Sequence, residues 1–359
     1  MPLTGWMIQH QKDMNPRSPY YNTPLGERTS RVYEPFDCKV EGRDLFYGFI
    51  RSGSVSGVYH SWSQSTLSMY EFEGTSCDII IDYGGYVTSL LSNTGTYATG
   101  IKLKSVNFPN VTYIGSGAMR NCYSLSSVVM PKVEYIGNYA FNECYSLSSI
   151  DFPMVSYIGV GAFDGCYKMS MANIESVKII ENSAFRSCSA LRSISIPFAT
   201  SIGARAFYLC SKLESVILPM VSSIGKEAFY WCGSISSISL PDVEYVGYGA
   251  FSGCSEIGSL VELPRCTFIS DYAFCGCERM TEITLPNVSY IGDGAFLWDD
   301  NLHRINLLSD SVCQLKHSHA FEYTSITSSK GSIIVPSSLI NAYKTAENWS
   351  YFSDRIFGI

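Results

Sequence analysis

Seven cysteines, Cys122, Cys144, Cys166, Cys188, Cys210, Cys232 and Cys254, follow one another at intervals of 22 residues, and Cys277 comes after 23. An aromatic register runs in phase with them: Phe141, Phe163, Phe185, Phe207, Phe229, Phe251, Phe274 and Phe296, with Met119 one step ahead. Leu125, Leu147, Met169, Leu191, Leu213, Ile235, Ile257, Met280 and Leu302 make a third register. Ile114, Ile136, Ile158, Ile180, Ile202, Ile224, Val246, Ile269 and Ile291 make a fourth. A chain carrying four apolar registers on one short period must fold as stacked units, because a single unit of this length cannot bury its own apolar faces.

One unit reads LSSVVMPKVEYIGNYAFNECYS from Leu125. Its opening alternates apolar and polar residues, the pattern of a short strand. Pro131 ends that strand, since proline has no N–H to give to a ladder. Val133 to Ile136 alternates again, and Gly137 turns the chain. Ala140, Phe141 and Cys144 then lie three to four residues apart, a spacing that predicts one helical or 3₁₀ turn burying Phe and Cys.

This unit resembles the BspA-like class of leucine-rich repeats, with its L-x-x-V/I-x-L-P strand followed by I-G-x-x-A-F-x-x-C. The match recurs at Pro109, Pro131, Pro153, Pro197, Pro219, Pro241, Pro264 and Pro286 and at the Ala–Phe pairs. The resemblance implies a mainly-β or α/β solenoid, a right-handed leucine-rich-repeat coil stack of about ten repeats over residues 101–325. Two units depart from the pattern: Glu175 and Glu181 replace Pro and Gly, and one residue is inserted in Gly258–Cys266.

Outside the repeats, residues 1–75 read as an arm followed by a small β docking region, and 76–100 as an N-terminal cap. Residues 326–359 read as a final strand and a helical cap, with Leu339, Ile340, Tyr343, Trp349 and Phe352 on one apolar face. The start, MPLTGWMIQHQKDMNPRSP, lacks the basic and apolar segments of a secretory leader.

Charged residues are only 16% of the chain, so Ser, Gly and the 25 tyrosines must cover much of the surface. The net charge of −7 and the lack of a basic run argue against nucleic-acid binding. No run of apolar residues is long enough to insert into a membrane.

Sites of chemistry are scarce. Stacked equivalent cysteines lie at strand spacing, too far apart for a disulfide, so each ladder Cys is expected to be a small buried apolar residue. His317 and His319 form a His-x-His pair, but they align with a repeat turn, and no metal or other cofactor is assigned. Asp299 and Asp300 replace the Cys position and are expected in a solvated turn. No nucleophile elbow, zinc-protease or phosphate-loop motif occurs, which points away from an enzyme.

The feature with binding potential is the residue before each core Ile. It is aromatic at Tyr113, Tyr135, Tyr157, Tyr245, Phe268 and Tyr290, a stripe able to grip a partner or simply to stiffen the stack. The expected function is a non-enzymatic binding or adhesion solenoid. In the leading reading it belongs to a phage virion, as a tail fibre, appendage or head decoration. It would contact other virion proteins through the N-terminal region and a bacterial surface glycan or protein through the array, and a homo-oligomer, a trimer in particular, would suit that role. The alternatives are a BspA-like adhesin at the bacterial cell surface, binding host matrix proteins, glycans or other cells, and an intracellular scaffold.

Overall fold

The computed structural model describes residues 103–258, 260–328 and 330–359, and before them the strands Glu34–Val40, Arg43–Ile50, Trp62–Ser63, Thr66–Met69, Ile79–Tyr83 and Ser89–Ser92. The chain divides into two compact units, Met1–Ile174 and Glu175–Ile359. Each is a parallel β-solenoid built from the same 22-residue coil, as the repeat predicts.

The coil has three sides. On the first, Ser127–Val129 pairs in parallel with Leu103–Asn107, opposing Val128 to Val106. Val128 points inward while Ser127 and Val129 face solvent, which is the period-2 pattern of a strand with one buried face. The corner at Pro131 closes through the Val133 amide donating to the Met130 carbonyl. On the second side, Tyr135–Ile136 pairs in parallel with both Tyr113–Ile114 and Tyr157–Ile158. In the second unit the same side runs in register through Ile180, Ile202, Ile224, Val246, Ile269, Ile291 and Leu315.

In most coils the third side differs from the helical or 3₁₀ turn that the spacing predicts, and Ser318–Phe321 keeps the 3₁₀ form. The chain makes consecutive tight turns, with the Ala140 amide donating to Gly137, Asn142 to Tyr139 and Cys144 to Phe141. The intervening amides reach across to the next coil, Tyr139 to Val160, Phe141 to Ala162 and Glu143 to Asp164. The first and last of these turns carry a positive φ at their third residue, as a type II turn requires. Tyr139 and Glu143 adopt φ of 56° and 60°, and the equivalent pairs recur in later coils, as at Arg205 and Leu209 or Gly249 and Gly253. Buried residues three to four apart suit a helical turn and this double turn equally, so apolar spacing could not separate them.

Inside, the apolar registers form continuous files. In the first unit the Phe141 and Phe163 rings stack at 5.2 Å. In the second, the file runs Phe185, Phe207, Phe229, Phe251, Phe274, Phe296 and Phe321, with centroids 5.2 to 5.7 Å apart. The core thus continues through Phe321, on a 3₁₀ turn, Ser318–Phe321.

Both ends of the chain carry additions to the coil. In the first unit, Glu34–Val40 and Arg43–Ile50 form an antiparallel pair, and Arg43–Ile50 pairs antiparallel with Ile79–Tyr83. On the other side the parallel ladder reaches back to Thr66–Met69, which pairs with Ser89–Ser92. In the second unit a short helix, Ile340–Thr345, and a 3₁₀ segment, Trp349–Arg355, close the C-terminal end. Tyr343, Trp349 and Phe352 are buried, as the apolar face predicts, while Leu339 and Ile340 are half-buried. The Trp349 indole donates to the Cys313 carbonyl at 2.7 Å, and the Cys313 amide donates to the Tyr343 hydroxyl at 3.0 Å. Residue spacing carries no sign of the last strand, Ile356–Gly358, which pairs in parallel with Ser332–Val335.

The ladder cysteines are free and buried, but they are more than apolar filler. Cys144 and Cys166 donate their thiols to the carbonyls of Met119 and Phe141, and Cys210, Cys232 and Cys254 donate to Phe185, Phe207 and Phe229, all at 3.0 to 3.2 Å. Each of these carbonyls belongs to the Phe position of the preceding coil, so the thiol ties one turn to the next. Burial pushes the Cys122 and Cys254 thiols up to about 12. Since the thiolate is the reactive species, native protein should leave the ladder cysteines unalkylated by iodoacetamide at pH 8, and urea-denatured protein should label them all. Peptide mass spectrometry reads the result; fast native labelling at Cys210 or Cys232 would show that the files open.

Candidate functional site

The aromatic stripe lies on the second side, one residue before each buried Ile. In the first unit Tyr113, Tyr135 and Tyr157 stack at 4.8 Å with interplanar angles of 7° and 5°. In the second, Phe268 stacks between Tyr245 at 5.3 Å and Tyr290 at 4.5 Å. The structure therefore brings the six residues into two files of three. In the second unit Ile179, Ser201 and Ser223 hold the same register, so the file there is aromatic only from Tyr245 onward.

Stacking decides what the stripe can offer. The faces of Tyr135 and Phe268 are covered on both sides by neighbouring rings, so at those two positions edges, and the Tyr135 hydroxyl, are what remain for a partner, while Tyr113, Tyr157, Tyr245 and Tyr290 each give one face to the stack. Edges carry the positive part of the aromatic quadrupole and meet carbonyl oxygens or the face of another ring. The stripe that the sequence shows is thus a pair of stiff stacks, with little side-chain entropy left to lose on binding.

On the first side Ser127 and Ser149 of the first unit and Ser193 and Ser237 of the second are exposed, interrupted by the exposed apolar Val129, Met171 and Ile217. Ion pairs link successive coils across the exterior, Arg192 to Glu214 at 2.8 Å and Arg265 to Asp242 at 3.1 Å. Both are well exposed, so they fix register more than they stabilise.

The His317–His319 pair sits beside Asp293, and one ligand atom from each lies within 4.8 Å of the others. These three could hold a divalent ion, but two of the ring nitrogens have other partners. His317 Nδ1 accepts from the His319 amide at 3.1 Å, and His319 Nε2 faces the Glu322 carboxylate.

Asp299 departs from the expected solvated turn. It is fully buried in the ladder-Cys position, and its Oδ1 accepts from the Cys277 amide at 2.7 Å. Burial holds its carboxyl well above the usual carboxylate range, while its amide partners at Cys277 and Gly276 pull the other way. The folded-state pKa stands above the unfolded value of about 3.9, so the unfolded chain ionises this group first. The group therefore costs stability as pH rises through the carboxylate range, and the cost vanishes below it. Asp299→Cys, which restores the ladder thiol, should raise stability at pH 7 by about 1–3 kcal/mol, with no gain at pH 3. Urea denaturation at the two pH values measures this; an equal gain at both would assign the effect to packing and not to charge.

The sequence reading missed the exposed aromatics of the third side. Trp231 and Trp298 precede a ladder position in their coils and stand well out of the surface. Setting the repeats one above another, with attention to the variable columns as well as the constant ones, would have aligned them.

The sequence profile of the BspA type leucine rich repeat region, a block of six copies, matches over residues 66–191, 112–222 and 222–346. The chain belongs to the BspA-type leucine-rich repeat family. Among solved structures, this BspA-type chain is similar to a leucine rich cell surface protein from Faecalibacterium prausnitzii. That match has 20% identity over 82% of this chain and 97% of the other, with a TM-score of 0.40. A leucine-rich repeat protein from Bacteroides ovatus matches at 18% identity over 81% of this chain and 99% of its own, with a TM-score of 0.27. The T. pallidum leucine rich repeat protein matches at 21% identity over 66% and 78% of the two chains, with a TM-score of 0.31. No curated protein matches the chain in sequence. Among the described residues, no helix of this BspA-type solenoid is long and apolar enough to cross a membrane.

Proposed function

We propose that this BspA-type chain is a non-catalytic adhesion solenoid of a bacterial cell surface, and that its stripe binds a protein partner. The observation that carries the reading is the stripe itself: two files of partly exposed rings, one in each unit, each held at regular spacing along its own ladder. Ring edges and phenol hydroxyls suit the carbonyls and aromatic side chains of a protein, and tyrosine is enriched at interface hot spots. Residues 1–75 would serve as a docking region, and assembly into a trimer would multiply weak contacts.

The family match favours this adhesin reading over attachment to a virion, because BspA-like repeats are the feature on which the adhesin reading rests. Surface labelling of intact source cells separates the two: antibody against the chain should decorate the cells, and signal confined to virus particles or to the cytosol would end the adhesin reading.

The stripe has its own test. Tyr245→Ser with Tyr290→Ser places in that register the residue that Ser201 and Ser223 already supply, so the fold should persist. Wild-type chain should bind at least one immobilised matrix protein among fibronectin, fibrinogen, laminin and collagen, and the double variant should bind it roughly tenfold or more weakly. Binding that the double variant retains in full would remove the stripe from the interface.

A further inference from the structure

On the third side of the second unit, Trp231, Gly253, Gly276 and Trp298 hold one register in four successive coils. Each is the residue before the ladder position, and each has a positive φ, 57°, 76°, 75° and 63°. Two indoles thus stand at the ends of a gap that two glycines leave open. At the usual strand spacing of about 4.8 Å, three coils separate the backbones of the two tryptophans by about 14 Å.

The first indole lies flat. A Cβ added at Gly253 would meet Cδ1, Cγ and Cδ2 of Trp231 at 3.2, 3.2 and 3.3 Å. Three near-equal distances place that point over the ring, so Trp231 covers the glycine with one face and turns the other outward. Trp231 is 57% exposed and Trp298 56%. A Cβ at Gly276 would meet nothing closer than 3.8 Å, so the middle of the gap is open. The result is a trough of about 600 Å³, floored by Ser252, Ser255 and Cys275 and rimmed by Glu278 and Asp300.

We propose that this trough binds a short neutral oligosaccharide, with sugar rings laid against the indole faces. The lining argues for this occupant. An exposed indole face carries negative quadrupole charge and attracts the C–H groups on the apolar face of a pyranose. Carboxylates accept from sugar hydroxyls, serine hydroxyls both donate and accept, and the bonds are stronger where the acceptor is charged. Among the described residues, no lysine or arginine lines the trough, and Glu278 and Asp300 repel an anionic glycan. Nor does any described aliphatic side chain line it, so an apolar peptide anchor finds no pocket of its own kind. The stripe of the second side offers less for this work, because Tyr245 and Tyr290 each give one face to Phe268, whose own two faces are both covered. The proposal rests on the reading of the chain as a binding solenoid, but not on the stripe or on any protein partner.

The test uses the full chain on an array of neutral gluco-, manno-, galacto- and N-acetylglucosamine oligosaccharides, with uronate oligosaccharides alongside, followed by titration of any bound sugar. At least one neutral oligosaccharide should bind, and Trp231→Ala and Trp298→Ala should each weaken it roughly tenfold or more. Both side chains are exposed, so the variants should keep the wild-type melting curve. A milder variant, Trp231→Phe, keeps a flat face and should retain more affinity than Trp231→Ala. The Tyr245→Ser, Tyr290→Ser variant should bind sugar like wild type. The proposal is overturned if no neutral oligosaccharide binds, if uronates bind better, if a peptide library but no sugar loses binding with Trp231→Ala, or if both tryptophan variants bind undiminished. Sugar binding without any matrix-protein binding would leave the trough standing and end the protein-partner reading; the reverse outcome would do the opposite.

Discussion

Phe229→Ala should cost about 3–5 kcal/mol of stability, the range for truncating a fully buried aromatic side chain. Phe229 is completely buried, with Phe207 stacked at 5.2 Å on one side and Phe251 at 5.3 Å on the other. Removing the ring leaves a hole between two rings whose backbones are fixed by inter-coil bonds, the Phe207 amide to Ala228 and the Phe229 amide to Ala250. Those bonds hold the coil spacing, so the file cannot close over the gap and the cavity cost stays. Phe229→Leu keeps most of the volume and should lose much less, within about 1.5 kcal/mol if the site repacks. Guanidinium denaturation of the three proteins measures the order. A loss under about 1 kcal/mol for the alanine variant would mean that the file is not packed as described.

Gly225→Ala should cost about 3 kcal/mol, the upper part of the range for forcing atoms into a packed site. The residue follows the core Ile and does not have a positive φ; the demand on it is space. A Cβ there would sit 2.7 Å from the Ala204 amide nitrogen and 2.8 Å from the Gly203 carbonyl carbon and the Ile202 carbonyl oxygen. All three are backbone atoms of the preceding coil, which cannot swing aside as a side chain would. The same amide that must shift, Gly225 N, donates to the Ile202 carbonyl at 2.9 Å, so relief of the clash stretches the ladder. Substitution at Gly233, where an added Cβ meets nothing closer than 3.6 Å, should cost under about 1 kcal/mol and serves as the control. Thermal melts of the two variants give the comparison, and equal losses would show that the corner is not tight.

The coil was legible because its constant residues are the buried ones. Leu125, Val128, Val133, Ile136, Phe141 and Cys144 each fill a position that recurs every 22 residues, and burial at such positions tolerates few residue types. The C-terminal cap was legible for a similar reason, as Tyr343, Trp349 and Phe352 are too large and apolar to leave in water. The turn side was not, because positive φ at Tyr139, Arg205 or Trp231 leaves no mark in residues that seldom adopt it. Asp299 was misplaced since an acidic pair normally reads as surface, whereas the ladder position it occupies decides its burial. The thiol-to-carbonyl bonds need interatomic distances that spacing does not carry. The candidate sites are the least legible part. The stripe was visible as a column of aromatics, but its edge-on presentation at Tyr135 and Phe268 follows from ring stacking. The trough depends on which side chains are missing, at Gly253 and Gly276, as much as on which are present.

The 22-residue coil is the unit that carries one shared core. Removing residues 204–225 deletes one whole coil and joins Gly203 to Lys226, so that Phe185 would stack on Phe229 in the same register. Removing residues 204–214 deletes half a coil and turns the interior positions of the later coils away from the core. Thermal unfolding monitored by circular dichroism should show a single cooperative transition and a native-like β spectrum for the first deletion, and no cooperative transition for the second. Equal behaviour of the two deletions, whether both fold or both fail, would contradict the stacked-coil account.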